Sequence, residues 1–286
     1  MQIHAPAKIN LYLDVVGRRS DGYHELVSLM CLIGIHDTVR FSFAPADQPD
    51  GIAVECSHPG VPPGRSNLAY RAASEFFAET GLNPPRVAIS IEKQIPVGAG
   101  LGGGSSNAAA VLCGLNRYFG CPVSAERLME LGCFLGADVP FFIFGRPAVA
   151  TGIGEKLSEF RGLPSMPVVV IYPGQPLSTA EVYKKLNLAL TKSEKINKKF
   201  IFKPGWVAED VSKQLFNALE KTAEELCPEI GEAKKALLSS GATGAIMTGS
   251  GSSVFGIYAD TRTAESACRR LSGQGRWRVF RTQLLT

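Results

Sequence analysis

Five glycines and two serines crowd into Pro96-Val97-Gly98-Ala99-Gly100-Leu101-Gly102-Gly103-Gly104-Ser105-Ser106-Asn107, directly ahead of an alanine-rich run at 108–112. Glycine reaches positive φ and has no Cβ, so consecutive glycines can turn several amides toward one point and let an anion approach closely. Ser105 and Ser106 are natural caps for a helix whose positive end faces that same point. Residues of these types in this order make a phosphate cradle. A flexible linker is the bland alternative, and the flanks argue against it: 87–91 alternates like a strand and 108–118 is apolar enough to pack a helix.

The type of cradle narrows by elimination. A Walker loop ends in Gly-Lys-Ser/Thr, and no such lysine follows these glycines. Gly98, Gly100 and Gly103 satisfy G-x-G-x-x-G, but a dinucleotide site needs an acidic residue about 20 positions further on. The chain there reads Gly120-Cys121-Pro122-Val123-Ser124. The His-Arg-Asp and Asp-Phe-Gly signatures of protein kinases are missing as well.

Two further segments carry chemistry. Lys8 sits in the apolar, extended-looking run Ala5-Pro6-Ala7-Lys8-Ile9-Asn10-Leu11, and Thr248-Gly249-Ser250-Gly251-Ser252-Ser253 interrupts two short apolar runs like a tight turn between strands. Taken singly, Lys8 could snorkel from a strand edge and the glycine turn could be a plain hairpin. Jointly, in this order and spacing, the three segments resemble the motifs of the galactokinase, homoserine kinase, mevalonate kinase and phosphomevalonate kinase (GHMP) superfamily. The text Ala7-Lys8-Ile9-Asn10-Leu11, the triple glycine with Ser105-Ser106-Asn107, and Gly136-Ala137-Asp138-Val139-Pro140 are similar to the branch acting on a cytidine-diphosphate-linked methylerythritol.

The resemblance implies ATP-dependent phosphorylation of the 2-hydroxyl of that substrate, in isoprenoid precursor biosynthesis. Phosphoryl transfer asks a protein mainly for positioning, charge stabilisation and a base. Asp138 takes the base role by resemblance, in an aromatic neighbourhood (Phe134, Phe141, Phe142, Phe144) expected to raise its pKa, and Lys8 is the cation that polarises aspartate and hydroxyl. The rival for Asp138 is a helix-end aspartate capping amides ahead of Pro140. On the ATP side the resemblance and the backbone argument both give Gly98, Gly100, Gly102, Gly103, Gly104, Ser105 and Ser106, with Pro96 and Leu101 of the same loop expected beside the nucleotide; Asn67 resembles a position beside the nucleotide, although an N-cap explains it equally. Mg2+ is expected with ATP, held by phosphate oxygens and Ser106, with no protein metal cage, because His4, His24, His36 and His58 lack ligand spacing.

For the substrate, the resemblance implies Asn10, Tyr23 and His24 in Gly22-Tyr23-His24-Glu25, Lys93, Tyr183, and the turn residues Gly249, Ser250 and Gly251. An imidazole beside an aromatic suits a pyrimidine edge, since it donates and accepts while the ring stacks. Met30 stands where the family commonly has an aromatic residue; a thioether still packs on a ring face, less rigidly. Core pairing for Tyr23 and His24, helix packing for Tyr183 and a solvated strand end for Lys93 are the plain alternatives. A kinase for mevalonate or homoserine, or a non-catalytic nucleotide sensor, are the competing functions; the SSN text with Tyr23-His24 speaks against the first, and retention of Lys8, Asp138 and the loop glycines against the second.

Composition fits a soluble enzyme: 286 residues, 45% hydrophobic, net charge +4 and mean hydropathy +0.07. Seven cysteines without a C-x-x-C pair predict reduced thiols, and the N-terminus lacks a signal core, so a cytoplasmic protein without membrane or nucleic-acid partners is expected. The charge suits a small anionic substrate. Lysines 192, 195, 198, 199 and 203 form the one basic cluster, which reads as a solvated loop.

The elements that must hold these residues are strands at 3–15, 26–32, 37–43, 52–56 and 87–91, and helices at 67–80, 106–118 and 124–135. After Gly145 come a linker-like Gly152-Ile153-Gly154, a strand at 168–172, helices at 179–188, 210–219, 229–238 and 263–271, strands flanking the third motif, and a last strand at 277–281 free to pack back on the N-terminal half. The pattern predicts an α+β class. The resemblance agrees and implies the two-domain GHMP kinase fold, cut at 1–150 and 151–286, with the active site in the cleft between domains.

Overall fold

The computed structural model describes residues 1–43, 51–82, 87–186 and 207–286. The lysine cluster at 192–203 and the end of the helix expected at 179–188 lie outside the described residues. The chain forms two compact units that alternate along the sequence: one takes Met1–Ala7, Ile35–Val97 and Gly102–Gly145, the other Lys8–Gly34, Gly98–Leu101 and Arg146–Thr286.

In the first unit, β4 (Val87–Glu92) is the organising strand. It pairs antiparallel with the second half of β2 (His24–Phe43), setting Phe41 opposite Ile89, and parallel with β3 (Ile52–Cys56). Its burial alternates strictly, so Val87, Ile89 and Ile91 point to one side. Against that side pack α1 (Leu68–Thr80), α2 (Gly103–Tyr118), α3 (Ala125–Leu135) and α4 (Val139–Phe144). The helix α1 buries Ala69, Ala72, Ala73, Phe76 and Phe77, an i, i+3, i+4, i+7, i+8 stripe whose small residues admit close approach. Each large apolar side chain buried this way contributes about 1.5–3 kcal/mol.

The second unit is built on the first half of β2 and on β7 (Pro167–Tyr172), where Val168, Val169, Val170 and Ile171 are all buried, the mark of a strand covered on both faces. The strand β10 (Val254–Ile257) pairs antiparallel with β7 and with β9 (Gly244–Met247). The last strand, β11 (Arg278–Leu285), runs antiparallel to β7 through Gln283 and then pairs Leu284 and Leu285 with Ile33 and Leu32 of β2. Among the described residues, the helices of this unit are α5 (Thr179–Lys185), α6 (Ala208–Ser212), α7 (Glu220–Leu226), α8 (Glu229–Leu238) and α9 (Thr261–Ser272).

Several expectations are corrected. The strands expected at 26–32 and 37–43 are one strand, because the chain stays extended through Gly34 and nothing there turns it. The expected linker at 152–154 is the tight turn between β5 (Ala148–Gly152) and β6 (Lys156–Glu159), closed by Gly154 N–H on Thr151 O. The helix expected at 210–219 stops at Ser212, and the two-residue strand β8 (Phe216–Asn217) follows, paired in parallel with β1 (Gln2–Arg18). Short apolar helices such as α4 carry too little periodicity to be read from sequence.

Candidate active site

The helix α2 begins at Gly103, three residues earlier than expected, with Gly102 as its cap at φ 71°. Ser105 and Ser106 therefore lie inside the first turn instead of capping it. Ser106 N–H is already bonded to Gly102 O at 2.9 Å, which leaves the amides of Gly103, Gly104 and Ser105 without an intrahelical acceptor. That is the anion-binding end of the helix. Ser106, expected among the phosphate donors, donates its hydroxyl hydrogen bond to Pro6 O at 2.6 Å and is buried.

The Gly98–Leu101 part of the loop belongs to the second unit and rests on the third glycine turn. Gly100 takes φ 75°, and a Cβ built on it would stand 2.2 Å from Thr248 O and 3.0 Å from Gly251 O. Only glycine fits where two backbones meet so closely. Leu177 N–H donates to Gly98 O at 3.1 Å and Ser253 N–H to Ala99 O at 3.1 Å. Leu101 O in turn accepts Lys8 N–H at 3.0 Å, fastening the loop to β1. Ser250 Oγ lies 2.8 Å from Thr179 Oγ1 at the start of α5.

Lys8 is 4% exposed, which excludes a snorkelling side chain. Its Nζ donates to Asn10 Oδ1 at 2.7 Å, two residues along the same strand face. Asn10, expected as a substrate ligand, has its side chain committed within the protein: Oδ1 accepts from Lys8 and from Thr248 Oγ1 (3.2 Å), and Nδ2 donates to Ser28 Oγ at 2.8 Å. Asn10 N–H donates to Thr248 Oγ1 at 3.0 Å, so the lysine, its strand and the third motif form one hydrogen-bonded group. Two residues beyond, Tyr12 donates to Asp14 Oδ2 at 3.2 Å; burial, with Asp14 adding, pushes its phenol up to about 12 and excludes it as a base.

In the first unit the side chain of Lys93, expected near substrate, is buried and paired within the protein. Its ammonium pairs with the fully buried Asp37, whose other oxygen accepts the amides of Gln94 and Ile95, each at 2.8 Å. A Cβ on Gly103 would stand 2.9 Å from Lys93 Nζ, so this pair lies directly against the start of α2. Asp37 was not read from sequence; an aspartate inside an apolar β-run, with a lysine just ahead of the loop, was the signal. Asn67 proves to be the N-cap of α1: its Oδ1 accepts Ala69 N–H at 2.9 Å and its Nδ2 donates to Pro62 O at 3.1 Å. With both ends of the amide engaged, the cap is the role its geometry supports.

Asp138 precedes α4 with helical backbone angles, and its side chain makes no capping bond. The capping alternative for it therefore falls. A Cβ on Gly136, two residues before it, would lie 3.9 Å from Ser105 Oγ, so the aspartate segment runs beside the first turn of α2. Phe141 is buried, but Phe134 is 73% exposed and takes no part in an apolar shell.

His24 and Tyr183 come together, their rings stacked with centroids 4.9 Å apart and planes 30° from parallel. Burial lowers the imidazole pKa below its ordinary 6.5, with Arg18 adding to the effect. Tyr23 is 61% exposed beside them in sequence. Met30, expected to pack on the cytosine ring, is 2% exposed and stands opposite Ala148 of β5. Among the described residues no group of three or more His, Cys, Asp or Glu is arranged to hold a metal ion, and no helix is long and apolar enough to cross a membrane.

Comparison with known proteins decides the family. Residues 67–146 match the GHMP kinases N terminal domain and residues 203–276 the GHMP kinases C terminal domain. A 4-diphosphocytidyl-2-C-methyl-D-erythritol kinase of Syntrophotalea carbinolica is 47% identical over 96% of both chains. The chain belongs to this kinase family. A relative of the same name from Geobacter metallireducens is 43% identical over 100% of this chain and 99% of its own. The crystal structure of a 4-(cytidine 5'-diphospho)-2C-methyl-D-erythritol kinase, 37% identical, superposes with a TM-score of 0.80 over 100% of both chains. A mevalonate kinase structure reaches 0.74 at 15% identity, over 99% of each chain, which speaks for the shared GHMP fold alone. For a GHMP kinase the use of ATP follows from membership.

Proposed function

We propose that the protein transfers the γ-phosphoryl group of ATP to the 2-hydroxyl of 4-diphosphocytidyl-2-C-methyl-D-erythritol, releasing ADP. The observation that carries this is Lys8: an ammonium 4% exposed, held by Asn10 on the strand that the third glycine turn anchors. A buried cation fixed by its neighbours acts on developing negative charge without first reorganising, which is what phosphoryl transfer requires.

In the proposed step the 2-hydroxyl oxygen forms a bond to the γ-phosphorus as the bond to the β,γ-bridging oxygen breaks, and Asp138 accepts the hydroxyl proton. The amides of Gly103, Gly104 and Ser105 stabilise the phosphates. Mg2+ neutralises phosphate charge when bound, held mainly by the phosphate oxygens. Ser106 is the protein group suited to join them, since its proton points to Pro6 O and its remaining lone pairs can face a cation. The stacked His24 and Tyr183, with exposed Tyr23, supply ring faces and a neutral imidazole edge for the cytosine.

ADP release with ATP, Mg2+ and each of three alcohols tests the reading: the cytidine substrate, mevalonate and homoserine. Turnover confined to the first, falling roughly 10²–10⁴-fold in Asp138→Asn, is expected. Turnover with another alcohol refutes the substrate, and near wild-type turnover in Asp138→Asn refutes the base.

A further inference from the structure

We infer that Asn217 is a positioning residue for ATP: it sets the third glycine turn and, through it, the Gly98–Leu101 segment of the phosphate loop. The inference rests on the kinase reading above.

Asn217 is 6% exposed on the two-residue strand β8, where it pairs with Leu13 of β1, the strand that carries Lys8. The next residue strengthens that link, Ala218 N–H donating to Leu13 O at 2.9 Å. From this place the Asn217 side chain reaches the turn. Its Nδ2 donates one proton to Met247 O at 2.8 Å and the other to Gly249 O at 2.9 Å, while Oδ1 accepts Leu219 N–H at 2.9 Å. One turn further, Glu220 accepts Met247 N–H at 2.8 Å and pairs with Lys234. Met247 is thus held at both its N–H and its C=O, and the carbonyl after Thr248 is held as well.

What makes this functional is the contact on the other side of the turn. A Cβ on Gly249 would stand 2.8 Å from Gly100 O, and one on Gly100 would stand 2.2 Å from Thr248 O. Thr248 Oγ1 also donates to Gly100 O at 3.5 Å, and with the two backbones this close a displacement of residues 247–249 passes to Gly100 directly. The chemistry of Asn217 is equally restrictive. A side-chain amide can donate to two carbonyls and accept from an amide at once; a carboxylate of the same shape cannot donate.

The test uses the full chain and measures KM for ATP, KM for the cytidine substrate, affinity for a non-hydrolysable ATP analogue without any alcohol, and Tm. Asn217→Ala is expected to raise KM for ATP and weaken the analogue about tenfold or more, leaving KM for the cytidine substrate within about twofold; Asn217→Asp, although isosteric, is expected to do no better. Asn116→Ala is the comparator: Asn116 makes two bonds of the same kind, to Val123 O at 2.9 Å and from Val123 N–H at 3.0 Å, near the far end of α2. It should lower Tm without moving the analogue's affinity. If Asn217→Ala fails to fold, Asn217→Ser, which keeps a donor for one carbonyl, carries the comparison. Analogue affinity within twofold of wild type, or equal loss toward both substrates, overturns the inference. Wild-type protein that binds the analogue yet turns over none of the alcohols would refute the kinase reading and leave the Asn217 result standing.

Discussion

Gly100→Ala is the most demanding perturbation of the phosphate loop. The added methyl would begin 2.2 Å from Thr248 O, against an ordinary carbon–oxygen contact of about 3.2 Å, so one of the two backbones must retreat by about 1 Å. The site also has φ 75°, where an L side chain costs about 1–2 kcal/mol. Adding about 1–3 kcal/mol for the forced backbone shift gives a destabilisation of about 2–5 kcal/mol. A 1 Å misplacement in a phosphoryl-transfer site can lower kcat/KM about 10²-fold. Coupled ADP release under saturating cytidine substrate, with Tm measured in parallel, separates these effects. Gly104→Ala is the internal control: a Cβ there meets only Leu68 Cδ1 at 3.6 Å, in helical geometry, so stability should hold. Gly100→Ala protein with kcat/KM within twofold of wild type would refute the claim that loop and turn are locked backbone to backbone.

Asn67→Ala should cost about 1 kcal/mol as a lost N-cap and leave KM for ATP unchanged; a rise in that KM at constant Tm would return Asn67 to the nucleotide. Lys93→Met, which strands the buried Asp37 carboxylate, should destabilise by about 3–5 kcal/mol in urea unfolding, and a loss below 1 kcal/mol would contradict the buried pair. Because burial depresses the His24 pKa, its imidazole stays neutral somewhat below pH 6.5. Its contribution to stability is present above the ordinary value and is lost as pH falls through the lowered one. KM for the cytidine substrate should therefore be flat from pH 8 to 6.5 and rise below, a rise that His24→Gln removes.

The residues that announce chemistry by type and spacing were legible. The glycine run, Lys8 in an apolar strand and the Thr248–Ser253 turn carry backbone requirements that few other sequences meet, and alternation in 87–91 or the capped stripe of α1 fixes local structure. What was not legible was side-chain partnership over long separations. Nothing local shows that Asn10 holds Lys8, that Lys93 pairs with Asp37 or that Ser106 points to Pro6, because each partner is set by tertiary packing. Likewise 210–219 has helical propensity, yet pairing with β1 draws Phe216 and Asn217 into a strand. The alternation of the two units along the chain is similarly invisible to any reading that cuts a sequence once.

The bond between Asn10 and Thr248 spans 238 residues, and β2 meets β11 across a comparable separation. During synthesis, then, the strand that carries Lys8 waits for a further 238 residues before its anchor exists. Contacts of such sequence separation slow folding and expose incomplete chains to aggregation. A chain interrupted before the third glycine turn would leave Lys8 without that anchor, which makes the fixing of this lysine a late event in the life of each molecule.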